Sequence, residues 1–323
     1  MLTLERMQSI RLARRPVGQV FFANTILLAD FRLPRPTRIV LEGVEHIPRD
    51  RSVIFAMNHT DRYNYWPFQY QMYRRGLPFT ATWVKGKYYE HPAMAAFMDA
   101  CNNIPLPSRG FVIGIEFRAR MARKPTGEEY RALRDRVDGK PNAASPGETS
   151  AFLRAFCGSE HDETFRAAFD DLWLRYVHQI VRLTRKALDE VGNNLLVFPE
   201  GTRSVRLGKG QVGLMQMAWH LGHDIVPVGC NGSDLCYPRN SPFSKGGEIV
   251  YRIGKPLLLT GPELAPFAVP SEVMPLTKAA DAHNAAYRGG IDVVMQAIAD
   301  LLDARHLPDA SAATDRHAVE RFL

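Results

Sequence analysis

Short runs made only of apolar residues are the feature that most restricts the fold of this 323-residue chain. Residues 53–56 (Val-Ile-Phe-Ala) and 195–198 (Leu-Leu-Val-Phe) contain no polar residue. Strands with one wet face alternate apolar and polar residues, whereas uninterrupted apolar runs are typical of strands covered on both faces. Stretches with helical spacing of apolar residues lie between these runs, as at 162–191. The pattern predicts an α/β fold, with a mixed, largely parallel sheet flanked by helices.

Glycine, proline and polar clusters divide the rest of the chain into short segments, and no internal repeat is visible. The predicted strands are 38–43, 52–57, 79–84, 104–106, 195–198, 224–228 and 248–253. The predicted helices are 65–75, 91–99, 116–136, 162–191, 211–221 and 274–305. Residues 138–150 are predicted as a loop from their composition.

The first 33 residues form a separate N-terminal segment, predicted to be helical with a break near Pro16. Its apolar stretch, Val17 to Phe31, follows three arginines and is shorter than the about 20 apolar residues that cross a bilayer. A basic, amphipathic helix can lie in the headgroup region of an anionic membrane. Residues 1–33 are therefore predicted as a membrane-surface anchor and residues 34–323 as the α/β domain. The alternative is a helix packed on the core of that domain.

The chain is basic, with a formal net charge of +7 and a pI near 9.3. This balance favours anionic partners such as lipid headgroups, phosphorylated substrates or nucleic acid. We recognise no nucleic-acid-binding motif, so nucleic acid is not an expected partner. None of the four cysteines has the two-residue spacing of zinc and redox sites, which indicates a reduced, cytosolic compartment and predicts no metal centre.

The most informative motif follows the second apolar run and reads Pro199-Glu200-Gly201-Thr202-Arg203-Ser204. Ligands of open α/β sheets bind at the carboxyl ends of strands. There, Arg203 can grip a phosphate with two parallel hydrogen bonds, and Gly201 can offer its amide without a side chain in the way. Lys209 follows closely and can add a point charge. The alternative is an ordinary strand-to-turn junction with a surface ion pair between Glu200 and Arg203.

A second candidate, Asn58-His59, comes directly after the first apolar run and before a predicted helix. Histidine suits general-base work because its ordinary pKa lies near neutrality, although a lone histidine is more often a structural residue. Read together, Asn58-His59 and the Phe198–Ser204 string resemble the 1-acylglycerol-3-phosphate acyltransferase family of the glycerophospholipid acyltransferase superfamily. The resemblance implies four sequence blocks, and the chain has them in the family's order. They are the approach to the first at 43–48 before Asn58-His59, a loose second at 103–109, the glutamate string as the third, and the fourth at 225–228.

The resemblance implies transfer of an acyl chain from a thioester, acyl-CoA or acyl-ACP, to a hydroxyl of a lysophospholipid or related anionic acceptor. No cofactor and no acyl-enzyme are implied, because the thioester is already activated. His59 would take the hydroxyl proton, while Gly201, Thr202, Arg203, Lys209 and Arg109 would contact the acceptor, and Glu200 would bind its glycerol hydroxyls or order Arg203. The expected setting is cytoplasmic, peripheral on the inner face of the membrane, with an anionic lipid surface and an acyl carrier protein as candidate partners.

The chain departs from the family pattern at the position five residues after the histidine, where the family has an aspartate that holds the imidazole. Asn64 stands there, and its amide can accept a bond from the ring but carries no charge. Asp61 is the other candidate partner for His59, and its alternative role is a first-turn carboxylate favoured by a helix dipole. Both therefore stand beside His59 as candidate catalytic residues.

An insertion at about 115–170 is the second departure, and it leaves the acceptor open: it can form a lid, a wall that selects the acceptor, or a contact for a carrier protein. The missing aspartate supports an alternative function for the whole chain, a catalytically impaired homologue that binds lipid or an acyl carrier.

Overall fold

Buried strands organise the molecule, which we describe from a computed structural model over residues 2–140 and 144–308. Within those residues the strands form one seven-stranded sheet with the order β1-β7-β6-β2-β5-β3-β4. The strands are Thr37–Glu42 (β1), Ile54–Met57 (β2), Thr80–Lys85 (β3), Asn103–Leu106 (β4), Asn194–Val197 (β5), Ile225–Asn231 (β6) and Gly247–Ile253 (β7). Every predicted strand is present, with ends shifted by three residues at most.

Strand direction divides the sheet into two groups. Strands β6, β2, β5, β3 and β4 run parallel to one another. Strands β1 and β7 are parallel to each other, and β7 pairs antiparallel with β6. The predicted mixed, largely parallel sheet is therefore confirmed. One consequence matters for function: the carboxyl ends of five neighbouring strands meet at one edge of the sheet.

Both faces of the central strands are covered, as their uninterrupted apolar composition predicts. Ile54 and Leu195 point into one core, which α-helices cover on that side, whereas Phe55 and Leu196 point into the core on the other side. All four side chains are fully buried. Polar residues at these positions would have to lose their hydration without a partner, which is why the runs contain none.

The helices surround this sheet on both sides. They are Leu4–Ser9 (α1), Val17–Asn24 (α2), Ile26–Asp30 (α3), Tyr65–Arg74 (α4), Pro92–Ala100 (α5), Arg109–Met121 (α6), Gly127–Val137 (α7), Thr149–Cys157 (α8), Asp162–Arg185 (α9), Gly213–Leu221 (α10), Ser233–Cys236 (α11), Lys278–Asp281 (α12) and Asn284–Ala299 (α13). None of the helices within these residues is long and apolar enough to cross a membrane.

Two helix predictions were too long. The predicted helix 116–136 is two helices, because α6 ends where Ala122 adopts a left-handed conformation (φ 54°) and Thr126 caps the start of α7. The predicted helix 274–305 contains only α12 and α13 as regular helices, with a break at Ala282 and His283 between them. Residues 141–143 of the predicted loop 138–150 and residues 309–323 of the predicted domain lie outside the described residues. The insertion at 115–170 is helical in its described parts.

The N-terminal segment is divided between two environments. Leu2, Met7 and Ile10 are buried in the main core, where the Tyr176 hydroxyl of α9 donates to the Leu2 carbonyl (3.3 Å). In contrast, α2 exposes Val17 and Phe21 (72% and 60%). The start of the segment therefore packs on the domain's own core, and so does the inner side of α2 and α3, where Gln19, Ala23 and Leu27 are buried. An outward apolar surface, the remaining basis for the predicted membrane anchor, begins only at α2.

Candidate active site

The carboxyl ends of four adjacent strands bring the candidate residues to one edge of the sheet. His59 follows β2, and the glutamate motif follows its neighbour β5. Lys85 ends β3, the next strand, and Arg109 follows β4 beyond it. Residues that are 141 positions apart in the chain, His59 and Glu200, thus become direct neighbours.

His59 is held in a defined orientation by Asn64. The Asn64 side-chain amide donates from Nδ2 to the Asn58 carbonyl (2.8 Å), which leaves its Oδ1 to accept from His59 Nδ1 (3.1 Å). The proton of the imidazole is therefore on Nδ1, and Nε2 carries the lone pair. The ring also stacks on Phe198, with centroids 4.0 Å apart and an interplanar angle of 17°. Asn64 is fully buried, and its carbonyl accepts from the Tyr251 hydroxyl.

Asp61, the other candidate partner, is directed elsewhere. Its carboxylate accepts from the Tyr63 amide (2.8 Å) and from the Thr60 hydroxyl (3.0 Å). Burial raises the pKa of this carboxyl, and those two hydrogen bonds act against the rise. The structure thus brings Asn64, and not Asp61, into hydrogen-bonding contact with the imidazole.

Glu200 ties the two halves of the site together through backbone amides. One carboxylate oxygen accepts from the His59 amide (2.7 Å) and the other from the Gly208 amide (2.7 Å). The side chain is 5% exposed, so the alternative of a surface ion pair with Arg203 does not describe it. Burial raises the pKa of the Glu200 carboxyl to about 7, and the amides of Gly208 and His59 oppose that rise.

Residues 199–211, which we call the motif loop, are closed at the neck by a hydrogen bond from the Gln211 amide to the Pro199 carbonyl (2.8 Å). Gly201 has φ +67°, a left-handed conformation that explains the glycine at this position. The Ser204 amide donates to the His59 carbonyl (2.9 Å), which places the loop directly over the histidine. Thr202, Arg203 and Lys209 of this loop are exposed.

Positive charge surrounds the imidazole. Burial lowers the pKa of His59 to about 4; the Asn64 hydrogen bond raises it, and the charges of Arg203 and then Lys85 lower it. Partial burial also lowers the pKa of Lys85, as do the charges of Lys87 and Arg203. The charges of Arg203 and Lys85 thus both act on the imidazole, and the charge of Arg203 also acts on Lys85. Sequence reasoning missed Lys85, although a cation at the end of a predicted strand was a usable signal.

Arg109 lies at the same edge but its guanidinium is already engaged. It donates to the Asp170 carboxylate of α9 (2.7 Å) and lies over the Phe169 ring (5.5 Å). Lys278 also donates to Asp170 (2.6 Å). The predicted phosphate contact of Arg109 would thus have to compete with a carboxylate from the edge of the insertion.

In the described part of the chain, no group of three or more histidine, cysteine or acidic side chains is arranged to hold a metal ion. Beside the buried Glu200 carboxyl, the site contains one imidazole base and several cations, a set suited to proton abstraction near a bound anion.

Comparisons with known proteins add one structural similarity. No family model matches the sequence, and no curated protein matches it. Among solved structures, the chain is similar to the 1-acyl-sn-glycerophosphate (LPA) acyltransferase PlsC from Thermotoga maritima, with 16% sequence identity and a TM-score of 0.39, over 85% of this chain and 78% of that chain.

Proposed function

We propose that this protein is an O-acyltransferase that moves an acyl group from a thioester to a hydroxyl of an anionic acceptor such as a lysophospholipid. The observation that carries the proposal is the imidazole of His59, which Asn64 holds with its proton on Nδ1 beside the cations Arg203 and Lys85. A neutral histidine with its free lone pair next to an anion-binding surface is the arrangement that deprotonation of a phosphate-bearing alcohol requires.

The reaction needs only this chain's residues and two substrates. His59 Nε2 takes the proton of the acceptor hydroxyl, and the oxygen attacks the thioester carbonyl, forming the new C–O bond. The tetrahedral intermediate then collapses with cleavage of the C–S bond, and the departing thiolate takes the proton back from the imidazolium. Arg203 and Lys85 hold the acceptor's phosphate, with Gly201, Thr202 and Lys209 along the motif loop, and Arg109 joins them if it leaves Asp170.

Glu200 acts as a positioning residue in this proposal. Its two oxygens are occupied by the amides of His59 and Gly208, so it aligns the base with the motif loop. Contact with the acceptor's glycerol hydroxyls, the role that the family resemblance implies, would require Glu200 to give up one of these buried hydrogen bonds.

The electrostatics give the acceptor a second role. Arg203 and Lys85 lower the pKa of His59, so a phosphate that offsets their charge raises that pKa and strengthens the base. We therefore propose an anionic acceptor over a neutral one.

Thiol release tests the function directly. Purified protein with an acyl thioester and lysophosphatidic acid should release free thiol, and His59→Ala should abolish the release. Running acyl-CoA and acyl-ACP side by side identifies the donor. If neither the wild type nor His59→Ala releases thiol with any acceptor of a panel, the second candidate function, a lipid- or carrier-binding homologue, is favoured. The uncharged Asn64 beside the imidazole supports that candidate.

We also propose that the protein works on an anionic membrane surface at the cytoplasmic side. The exposed apolar residues Val17 and Phe21 of α2 follow the exposed arginines at 11, 14 and 15. Because Leu2, Met7, Ile10 and Leu12 are buried in the core, a point variant is a cleaner test than removal of the segment. Phe21→Asp should reduce flotation with anionic liposomes, whereas Ala119→Asp, at an exposed position of α6, should not. Equal flotation of both variants with the wild type would refute the anchor.

A further inference from the structure

The outer side of the motif loop is held by a segment from the far end of the described chain, residues 301–307, which we call the C-terminal strap. The Leu207 amide of the loop donates to the His306 carbonyl of the strap (2.9 Å), and the Leu207 side chain is buried. The loop is therefore fixed from outside as well as from the His59 side.

His306 is the main link between strap and loop. Its side chain is 1% exposed, and both ring nitrogens are used. Nδ1 donates to the Val205 carbonyl (2.7 Å), and Nε2 accepts from the Gly232 amide (3.2 Å). A carbonyl accepts and an amide donates, so these two partners place a ring proton on Nδ1. Asp234 Oδ1 also lies 3.6 Å from Nε2. The ring thus joins the motif loop to the turn that follows β6.

The strap rests on the sheet through polar contacts of its own. The Asp303 amide donates to Asn231 Oδ1 at the end of β6 (2.8 Å), and Asn231 Nδ2 donates to the Leu301 carbonyl (3.2 Å). Arg252 of β7 donates to the Asp303 carboxylate (2.8 Å). His306 is consequently supported by two strands and is not a loose terminal residue.

We propose that His306 is a positioning residue for the acyl transfer proposed above, and that it sets the place of Arg203 over the acceptor. Arg203 directly precedes two anchored residues: the Ser204 amide donates to the His59 carbonyl, the inner anchor, and the Val205 carbonyl accepts from the His306 ring, the outer anchor. Loss of the ring removes this outer anchor and leaves the outer side of the loop attached only through the Leu207 amide and the His306 backbone carbonyl. The acceptor role rests on the proposed function; the ordering of the loop does not.

Hydrogen exchange in the full-length protein tests the ordering. In His306→Phe, the amides of Ser204, Leu207 and Gly208 should lose protection, because the ring no longer donates to the loop. His306→Asn places an amide donor where Nδ1 lies and should keep most of that protection.

The matched control is His46→Phe, since His46 also contacts a carbonyl, that of Ile253 (2.8 Å), but follows β1 at the opposite edge of the sheet. Unchanged protection in a folded His306→Phe protein would overturn the proposal. If that variant does not fold, His306→Asn still decides: the proposal requires its loop to stay protected, and loss of protection there overturns the proposal.

Kinetics separates positioning from general damage. In the wild-type background His306→Phe should raise KM for lysophosphatidic acid about tenfold, with a smaller change in kcat. In an Arg203→Ala background the same substitution should raise KM little further, because the positioned group is already absent. Equal increases in both backgrounds would show an effect independent of Arg203 and overturn the proposed role. If the wild type transfers no acyl group at all, the proposed function fails while hydrogen exchange still decides whether His306 orders the loop.

Discussion

Replacing Asn64 by aspartate tests the central physical claim, that a neutral amide holds the imidazole of His59 without supplying charge. The substitution puts a carboxylate where Oδ1 now accepts from Nδ1 at 3.1 Å. At an effective dielectric constant of about 20, opposite charges about 4 Å apart attract by about 4 kcal/mol. That energy corresponds to a rise of about 3 in the pKa of the histidine. We expect the His59 pKa to move from about 4 to near neutrality.

The same change has a cost in stability. Asn64 Nδ2 now donates to the Asn58 carbonyl (2.8 Å), and an aspartate cannot make that bond. A buried acceptor left without its donor costs about 1–3 kcal/mol. Asn64→Asp should therefore lower the free energy of unfolding while it strengthens the base. Because a base with a pKa near the working pH is more effective, we expect turnover at pH 7 to rise about tenfold.

Two assays are needed, and they answer different questions. Titration of the His59 ring signals by NMR gives the pKa, and the pH dependence of kcat/KM gives its consequence for the reaction. Asp61→Asn is the matched control, because that carboxylate bonds to Tyr63 and Thr60 and should leave the His59 pKa where it is. A folded Asn64→Asp protein whose His59 pKa remains near 4 would refute the reasoning.

Three further predictions concern charge. The fold lowers the pKa of His59 from 6.5 to about 4 and so favours its neutral form. The stability that this contributes is complete above pH 6.5 and is lost as the pH falls towards 4. His59→Gln should therefore remove up to about 3 kcal/mol of the loss of stability in acid, measured by urea unfolding at several pH values. Arg203→Ala and Lys85→Ala should each lower kcat/KM for lysophosphatidic acid about 10- to 100-fold but spare monoacylglycerol, and an equal loss on both acceptors would contradict phosphate binding. Asp170→Asn should lower KM for the anionic acceptor if Arg109 contributes, since it frees that guanidinium; an unchanged KM removes Arg109 from the site.

The strands could be predicted from the sequence because burial on both faces leaves a direct mark on composition. Val53 to Ala56 and Leu195 to Phe198 had to be apolar, and a ligand-binding motif after such a strand was a sound expectation. The order of strands in the sheet leaves no such mark. Nothing in the local sequence says that β3 lies beside β5, and for that reason Lys85 was missed.

Hydrogen bonds between distant segments explain the other features of the site that could not be predicted from the sequence. The role of Glu200 depends on the backbone amide of His59, 141 positions away, and an amide is present at almost every position of any sequence. The choice between Asn64 and Asp61 depended on the path of the turn after β2. His306 reaches Val205 across 101 positions with no motif around it.

The position of Asn64 also limits what the acceptor must supply. The Asn64 amide fixes the tautomer of His59 as an aspartate does, so the neutral imidazole is ready to accept a proton. The amide lacks the negative charge that would stabilise the imidazolium formed during attack. Two cations make that deficit larger, because Arg203 and Lys85 both oppose protonation of the ring. A bound phosphate would offset the charge of these two cations and so take over part of the missing carboxylate's role. In the proposed reaction the missing aspartate and the two cations then act together: an anionic acceptor activates the base that deprotonates it, and a neutral acceptor should react slowly even when it is bound.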